Sequence, residues 1–343
     1  MLLSVAERVY RLFYDGFLSR LPEDRAVRLG QTLLRLLPVE PIKTFTLADP
    51  RLAVDLAGVR LPNPVILSSM YYDLAILRKA MALGFGAVTT KTITVTPRPG
   101  HPEPNLVRVV TPEGRGFVNC NGFRNPGLAA FRAALPRLPH RRPVIVSVAG
   151  DSPDEYRRLV QEIHGHGDLI ELNISSPNTR LVYELSGSPE RIRALFDEVR
   201  SVTAKPIIVK LSPDFAEENR RRIVPAVLDA GLDGVNFGNT RRVEHAGLSQ
   251  RAGGLSGPAL FANVVAAMRE LRQALGPDRA LIATGGIDAP AKALAAIEAG
   301  ADAVSYFTAF ITRGPTLARR IGEALLAALE SRGARRVAEL RGG

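Results

Sequence analysis

The segment Glu171–Thr179, ELNISSPNT, crowds two serines, a proline and two asparagines into the end of a strand-like apolar run. Two interpretations compete: a turn requires these residues, or a ligand does. A turn of ordinary type needs one asparagine or proline, not the whole set. The composition of this segment therefore favours side chains that hydrogen-bond to a ligand.

Other apolar runs also end in residues that could bind a ligand. These are Lys91, Lys210, Asn239 with Thr240, Gly285 with Gly286, and Phe307 with Thr308, and Asn119 lies between two runs. Amides donate and accept hydrogen bonds, which suits a flat heterocycle with alternating N–H and C=O edges. A lysine stabilises developing negative charge where water is excluded, and a glycine pair before a helix suits a phosphate.

Each of these residues also has a structural interpretation. A lysine at a strand end can be a surface charge, a glycine pair can be a tight turn, and an asparagine can cap a helix. Only a shared location would distinguish the two interpretations. If the residues converge, they indicate a phosphate-bearing planar cofactor with a planar, amide-rich substrate above it.

The apolar runs themselves predict that shared location. Eight of them alternate with helical stretches: 64–69, 86–92, 143–150, 168–175, 206–213, 233–239, 280–286 and 302–308. This alternation predicts parallel strands, and eight such units predict a (β/α)₈ barrel, an α/β fold also called a TIM barrel. A doubly wound sheet is disfavoured because no G-x-G-x-x-G follows the first strand. In a barrel, all strand ends meet at one face, where the chemistry takes place.

Two longer excursions, 93–125 and 240–257, follow strands at this same face. Before the barrel, apolar residues recur at helical spacing in two segments: Val5, Val9, Leu12, Phe13 and Phe17, then Ala26, Leu29, Leu33 and Leu36. We expect a helical hairpin over residues 1–45 and a catalytic barrel over 46–335. The hairpin could be a cap packed on the barrel or a pair of helices lying in a membrane interface.

Composition limits the classes of function. The net charge is +11, but only six of the basic residues are lysines and the arginines are dispersed, so we expect no nucleic-acid binding. The single cysteine, Cys120, excludes an internal disulfide, and no histidine lies near it in sequence to suggest a nucleophile. We expect it to be a small buried residue. The five histidines are scattered, so no metal site is expected. No apolar run reaches the length of a membrane span.

The chain resembles the dihydroorotate dehydrogenases, flavin barrels of pyrimidine synthesis, from about Leu47 to its last helix. The resemblance rests on ITVTPRPGHPEPNLVRV (93–109), FVNCNGFRNPG (117–127), ELNISSPNT (171–179), KLSPD (210–214), NFGNT (236–240), GGLSG (253–257), ATGGI (283–287) and YFTAF (306–310). Together these motifs are far more specific than a single glycine motif.

The resemblance implies FMN on the barrel mouth, with dihydroorotate or orotate above it. Cofactor contacts would come from Ser68, Ser69, Lys91, Asn119, Asn173, Lys210, Gly238, Ser256, Gly257, Gly285, Gly286, Phe307 and Thr308. Substrate contacts would come from Lys91, Asn119, Gly122, Phe123, Asn173, Asn178, Asn239 and Thr240. Ser176 would be the base that takes the C5 proton while hydride leaves C6 for the flavin, with Thr179 or water as the proton outlet.

A serine base and a helical hairpin both resemble the quinone-linked branch, which implies a quinone acceptor and peripheral contact of residues 1–40 with the cytoplasmic face of the membrane. Three features depart from that branch. Met70–Asp73 replaces its glycine and lysine segment, Lys91 resembles the soluble branches, and Arg180-Leu181 replaces a Pro-Gly. The alternatives are a flavin barrel that acts on another cyclic amide or enone, a soluble electron acceptor, or a non-redox binding barrel.

Overall fold

The computed structural model describes residues 2–38, 45–138, 142–175, 189–214 and 217–342. Eight parallel strands close into a barrel, each paired with its predecessor and successor along the chain, and the last closes on the first. They are β3 (Val65–Leu67), β4 (Ala87–Thr89), β7 (Val144–Val148), β8 (Leu169–Asn173), β9 (Ile207–Leu211), β10 (Gly234–Phe237), β13 (Ala280–Thr284) and β14 (Ala303–Tyr306). All eight predicted strands and the (β/α)₈ fold are confirmed.

The barrel strands are buried along their whole length. Their outer faces are covered by helices and their inner faces by one another, which explains why they read as continuous apolar runs. The helices are α1 (Leu2–Gly16), α2 (Glu23–Leu36), α3 (Leu74–Ala82), α4 (Leu128–Ala134), α5 (Pro153–Ile163), α6 (Pro189–Arg200), α7 (Glu217–Asp229), α8 (Phe261–Leu275), α9 (Pro290–Glu298), α10 (Thr308–Thr312) and α11 (Leu317–Arg332). The Ser152 side chain caps α5, since its hydroxyl accepts a hydrogen bond from Glu155 N at 3.3 Å.

The two excursions form a single antiparallel sheet. Its strands are β5 (Leu106–Thr111), β6 (Gly114–Asn119), β11 (Arg241–Glu244) and β12 (Ala252–Ser256), in the order β11-β12-β6-β5. Cys120 is buried in the small apolar cluster under this sheet, as predicted. A separate two-stranded hairpin, β1 (Val54–Leu56) with β2 (Val59–Leu61), precedes the barrel.

Helices α1 and α2 form the predicted hairpin and pack against the barrel through specific polar contacts. The Tyr10 hydroxyl donates to Ile311 O at 2.6 Å. The Arg108 guanidinium donates to Leu18 O and Leu21 O, at 3.0 and 2.9 Å. The predicted boundary at residue 45 stays a prediction, because 39–44 lie outside the described residues.

The hairpin also exposes apolar side chains on its outer surface, which we call the apolar hairpin face. It consists of Val5, Val9, Leu12, Phe17, Leu33, Leu36 and Leu37. Leu12 is 75% exposed and Leu36 is 74% exposed. The two interpretations of the hairpin are therefore compatible, since one side packs on the barrel and another remains apolar and open. None of the described helices has both the length and the apolar character needed to cross a bilayer.

Candidate active site

The carboxyl ends of the barrel strands surround a cavity of about 1150 Å³ that continues between the hairpin helices. Thirteen of the predicted site residues line it: Ser68, Ser69, Lys91, Asn119, Lys210, Asn239, Thr240, Ser256, Gly257, Gly285, Gly286, Phe307 and Thr308. Residues from distant parts of the chain thus converge at one face, which is the condition that separates a ligand site from isolated turns and caps.

Two ammonium groups are buried in this cavity. Lys91 follows β4 and is 8% exposed, and Lys210 lies in β9 and is 5% exposed. Burial and the positive charge of Lys210 together lower the pKa of Lys91 to about 8. Among the described residues, no carboxylate forms an ion pair with either lysine. Buried charges are normally paired, so the two lysines indicate an anionic ligand.

The amides at the strand ends are held in place by a hydrogen-bond network. Asn173 Nδ2 donates to Thr92 Oγ1 at 2.9 Å, and the Ser175 hydroxyl donates to Asn173 Oδ1 at 2.7 Å. Asn239 Nδ2 in turn donates to Ser175 Oγ at 2.6 Å. The Thr92 hydroxyl also shares a hydrogen bond with Ser69 Oγ at 3.0 Å. This network orients Asn239 toward the cavity before any ligand binds.

Sequence reasoning did not single out Thr92 and Ser175, although both lie in segments it had selected. A hydroxyl residue at a strand end carries no signal of its own, and its partner is decided by the neighbouring strand. A second network in the barrel interior was missed for the same reason. There, Asn236 Nδ2 donates to Glu171 Oε2 at 2.6 Å, and the Thr284 hydroxyl donates to Asn236 Oδ1 at 2.6 Å.

Four glycines permit the close backbone approach that a bound phosphate requires. Gly257, Gly285 and Gly286 have φ of +112°, +107° and +74°, a region that favours glycine. A Cβ on Gly286 would lie 2.5 Å from the backbone nitrogen of Phe261, at the start of α8, and one on Gly238 would lie 1.7 Å from Thr284 O. Gly257, Gly285 and Gly286 line the cavity, and we call these three residues the glycine cradle, whereas Gly238 lies off the lining and permits the close approach to Thr284.

Some predicted site residues lie elsewhere. Asn173 and Gly238 do not line the cavity but support residues that do. Gly122 and Phe123 have φ of +60° and +55° and also lie off the cavity lining. Ser176 and Asn178, together with the suggested outlet Thr179 and the departure at Arg180-Leu181, lie outside the described residues. The assigned roles of all the site residues stay predictions.

The unusual segment Met70–Asp73 has a structural role at the hairpin. The Asp73 carboxylate caps α3 by accepting from Ala75 N at 2.8 Å, and it accepts a hydrogen bond from the Arg35 guanidinium of α2. Asp73 is thus directed to the hairpin rather than to the cavity. The cavity instead receives an ammonium group from the neighbouring strand, through Lys91.

Fold and site together define a (β/α)₈ barrel with a glycine-rich cradle, two buried lysines and a helical hairpin over its mouth. A family model described as Dihydroorotate dehydrogenase matches residues 51–329, and the chain belongs to this family. The predicted resemblance is therefore confirmed. Family membership implies a flavin cofactor, and the site fits one, because the cradle suits a phosphate and the buried lysines suit an electron-rich ring.

Relatives of known name share most of the chain. A "Dihydroorotate dehydrogenase (quinone)" of Clavibacter sepedonicus is 33% identical over 92% of this chain and 98% of its own length. One from a Nocardioides species is 34% identical over 91% and 96%. The crystal structure of DHODH from Eimeria tenella in complex with ferulenol superposes with a TM-score of 0.80, at 25% identity over 93% of this chain and 95% of that one.

The cradle can be tested with a matched pair of substitutions. Gly286→Ala forces the loop away from α8 and should abolish flavin retention. Gly276→Ala has the same backbone strain, since Gly276 has φ +72°, but a Cβ there meets nothing within 4 Å. We expect Gly276→Ala to cost roughly 1–2 kcal/mol of stability and to keep its flavin. The ratio of visible to ultraviolet absorbance of the purified variants measures flavin retention, and equal retention by both would contradict the assignment.

Proposed function

We propose that this chain is an FMN-dependent dihydroorotate dehydrogenase that oxidises dihydroorotate to orotate and passes the electrons to a quinone. One observation carries the proposal: two buried lysines, without an anionic partner among the described residues, line a cavity that runs from the barrel mouth into the hairpin. The names of the relatives support the same activity.

The glycine cradle would hold the phosphate of FMN, and Lys210 would contact its ring. Gly257 and Gly286 would offer backbone N–H groups to its phosphate, while the Gly285 N–H donates to Ser305 O at 3.3 Å. Ser256 and Thr308 also line the cavity. Lys210 would lie against the isoalloxazine ring and stabilise negative charge on it. When bound, FMN supplies the two-electron acceptor chemistry that amino-acid side chains lack.

Dihydroorotate would bind above the cofactor through its carboxylate and its ring amides. Charged Lys91 suits the carboxylate, while Asn119, Asn239 and Thr240 provide donors and acceptors for the ring edges. The Asn239 side chain is fixed by its hydrogen bond to Ser175. Substrate binding would therefore need little further ordering of this side chain. Ser176, the next residue, would accept the C5 proton at its hydroxyl oxygen while its own proton passes to Thr179 or water.

The hairpin would admit the quinone. Its cavity-lining side chains include the apolar and aromatic Phe13, Leu33, Leu34 and Leu37, beside a polar group of Glu23, Asp24, Arg28 and Gln31. Leu33, Leu36 and Leu37 of the apolar hairpin face also line this passage, whereas Val5, Val9, Leu12 and Phe17 lie outside it. Peripheral contact of this face with the cytoplasmic side of a membrane would therefore place the opening at the lipid surface. An apolar quinone could then reach the barrel mouth without crossing water.

The first test is the visible spectrum of the protein. When the protein is mixed with dihydroorotate without oxygen, the bound flavin should be reduced and its visible absorbance should bleach. Ser176→Ala should slow this bleaching by about 10²–10⁴-fold, the usual contribution of a general base, whereas Ser176→Cys should retain much of the rate because a thiol can also accept a proton. Bleaching of Ser176→Ala at the wild-type rate would remove Ser176 from the mechanism. Bleaching by another reduced cyclic amide, or reoxidation of the reduced flavin by an enone, without bleaching by dihydroorotate would favour the alternative substrate class that Met70–Asp73 suggested.

A second test concerns the membrane. Replacing Val9 and Leu12, two exposed residues of the apolar hairpin face that do not line the cavity, together by glutamate should greatly reduce sedimentation with lipid vesicles and turnover with a long-chain quinone, while bleaching by dihydroorotate stays unchanged. The matched control is glutamate at Ala266 and Ala327, two exposed positions on helices of the barrel wall that add the same charge. If both double variants bind vesicles as the wild type does, the hairpin is not a membrane contact.

A further inference from the structure

Tyr71 stands where the barrel mouth meets the passage between the hairpin helices. Its ring is 8% exposed and meets the ring of Phe307 edge-on, with centroids 5.2 Å apart. Its carbonyl accepts a hydrogen bond from Lys91 N at 2.8 Å. Tyr71 is therefore fixed between a predicted substrate lysine and a predicted cofactor contact, and it lines the cavity on the side of the hairpin.

The Tyr71 hydroxyl has no hydrogen-bond partner among the described residues. Burial is the one cause that raises its pKa, so the group remains a neutral O–H donor across physiological pH. The hydroxyl of the nearby Tyr10 donates its hydrogen bond to Ile311 O at 2.6 Å and not to Tyr71. By comparison, the buried Tyr156 hydroxyl donates to Asn173 O at 2.9 Å. The Tyr71 hydroxyl is not one of the fully buried polar atoms that lack a partner, so it opens on the cavity that Tyr71 lines and is available to donate to a ligand acceptor.

The surroundings limit the chemistry of that acceptor. Tyr71 has aromatic neighbours in Phe307 and Tyr10, and the passage beyond them is lined by Phe13 and Leu34. An apolar ring suits these walls, and the neutral hydroxyl suits a carbonyl oxygen as its acceptor. A flat ring that carries carbonyl oxygens is the head group of a quinone.

We propose that the Tyr71 hydroxyl donates a hydrogen bond to a ring carbonyl oxygen of the quinone and thereby positions the head group beside the cofactor. This inference rests on the proposed function and adds a positioning residue on the acceptor side of the reaction. It also gives a role to the segment Met70–Asp73: Asp73 fixes the hairpin through Arg35, and Tyr71 faces the ligand that the hairpin admits.

The test uses Tyr71→Phe in the flavin-loaded protein and menadione, a quinone head group without a tail. Calorimetric titration of the oxidised protein should show a roughly 2–10-fold weaker Kd, as expected for one lost hydrogen bond. In steady state, the KM for menadione should rise by a similar factor, while the rate of bleaching by dihydroorotate is unchanged. Tyr306→Phe is the matched control, because Tyr306 is a buried cavity-lining tyrosine that packs against Phe85 instead of Phe307.

Unaltered menadione affinity in Tyr71→Phe would overturn the inference, and so would an equal loss in Tyr306→Phe. A loss of affinity together with slower bleaching by dihydroorotate would also overturn it, because a disturbed barrel mouth would then explain both. If dihydroorotate fails to bleach the wild-type flavin, the proposed function fails, whereas the calorimetric comparison of the two variants still decides whether Tyr71 binds a quinone carbonyl.

Discussion

The burial of two like charges at the barrel mouth is the constraint on which the rest of the site depends. Burial and the positive charge of Lys210 lower the pKa of Lys91, and burial removes the water that would screen the two ammonium groups from each other. No carboxylate among the described residues neutralises them. The arrangement is therefore stable only with an anion in the cavity or with one lysine partly deprotonated. A bound flavin and an anionic pyrimidine would satisfy both ammonium groups at once, which couples ligand binding to the charge state of the protein.

The strands position the two ammonium groups, and the hairpin covers the barrel mouth. Strands β4 and β9 set the positions of the two lysines, and the network through Thr92 and Ser175 fixes the amides between them. The hairpin then closes over the mouth, held by Arg108 to its turn and by Arg35 to Asp73. A covered site strengthens each electrostatic contact inside it. The same cover provides an apolar passage, so the hairpin serves both water exclusion and access for an apolar acceptor.

Much of this could be predicted from the sequence because barrel strands buried on both faces leave a strong local signal. The strand ends then indicated which side chains converge. Nonlocal pairing left no such signal. The single sheet built from β5, β6, β11 and β12 joins two excursions more than a hundred residues apart. The partner of Asp73 depends on how α2 docks, and the roles of Thr92 and Ser175 depend on which hydroxyl lies opposite which amide. Such contacts are decided by packing and not by residue type.

The pH dependence of orotate binding tests the buried lysine pair most directly. Because burial lowers the pKa of Lys91 to about 8, its ammonium is charged below that pH and is progressively lost above it. Orotate affinity of the flavin-loaded protein, measured by flavin absorbance from about pH 6.5 to 9, should be constant at the acid end and fall toward tenfold per pH unit above the break. In Lys91→Met the affinity should be lower and the break near pH 8 absent. The same break in Lys91→Met and in the wild type would contradict the account.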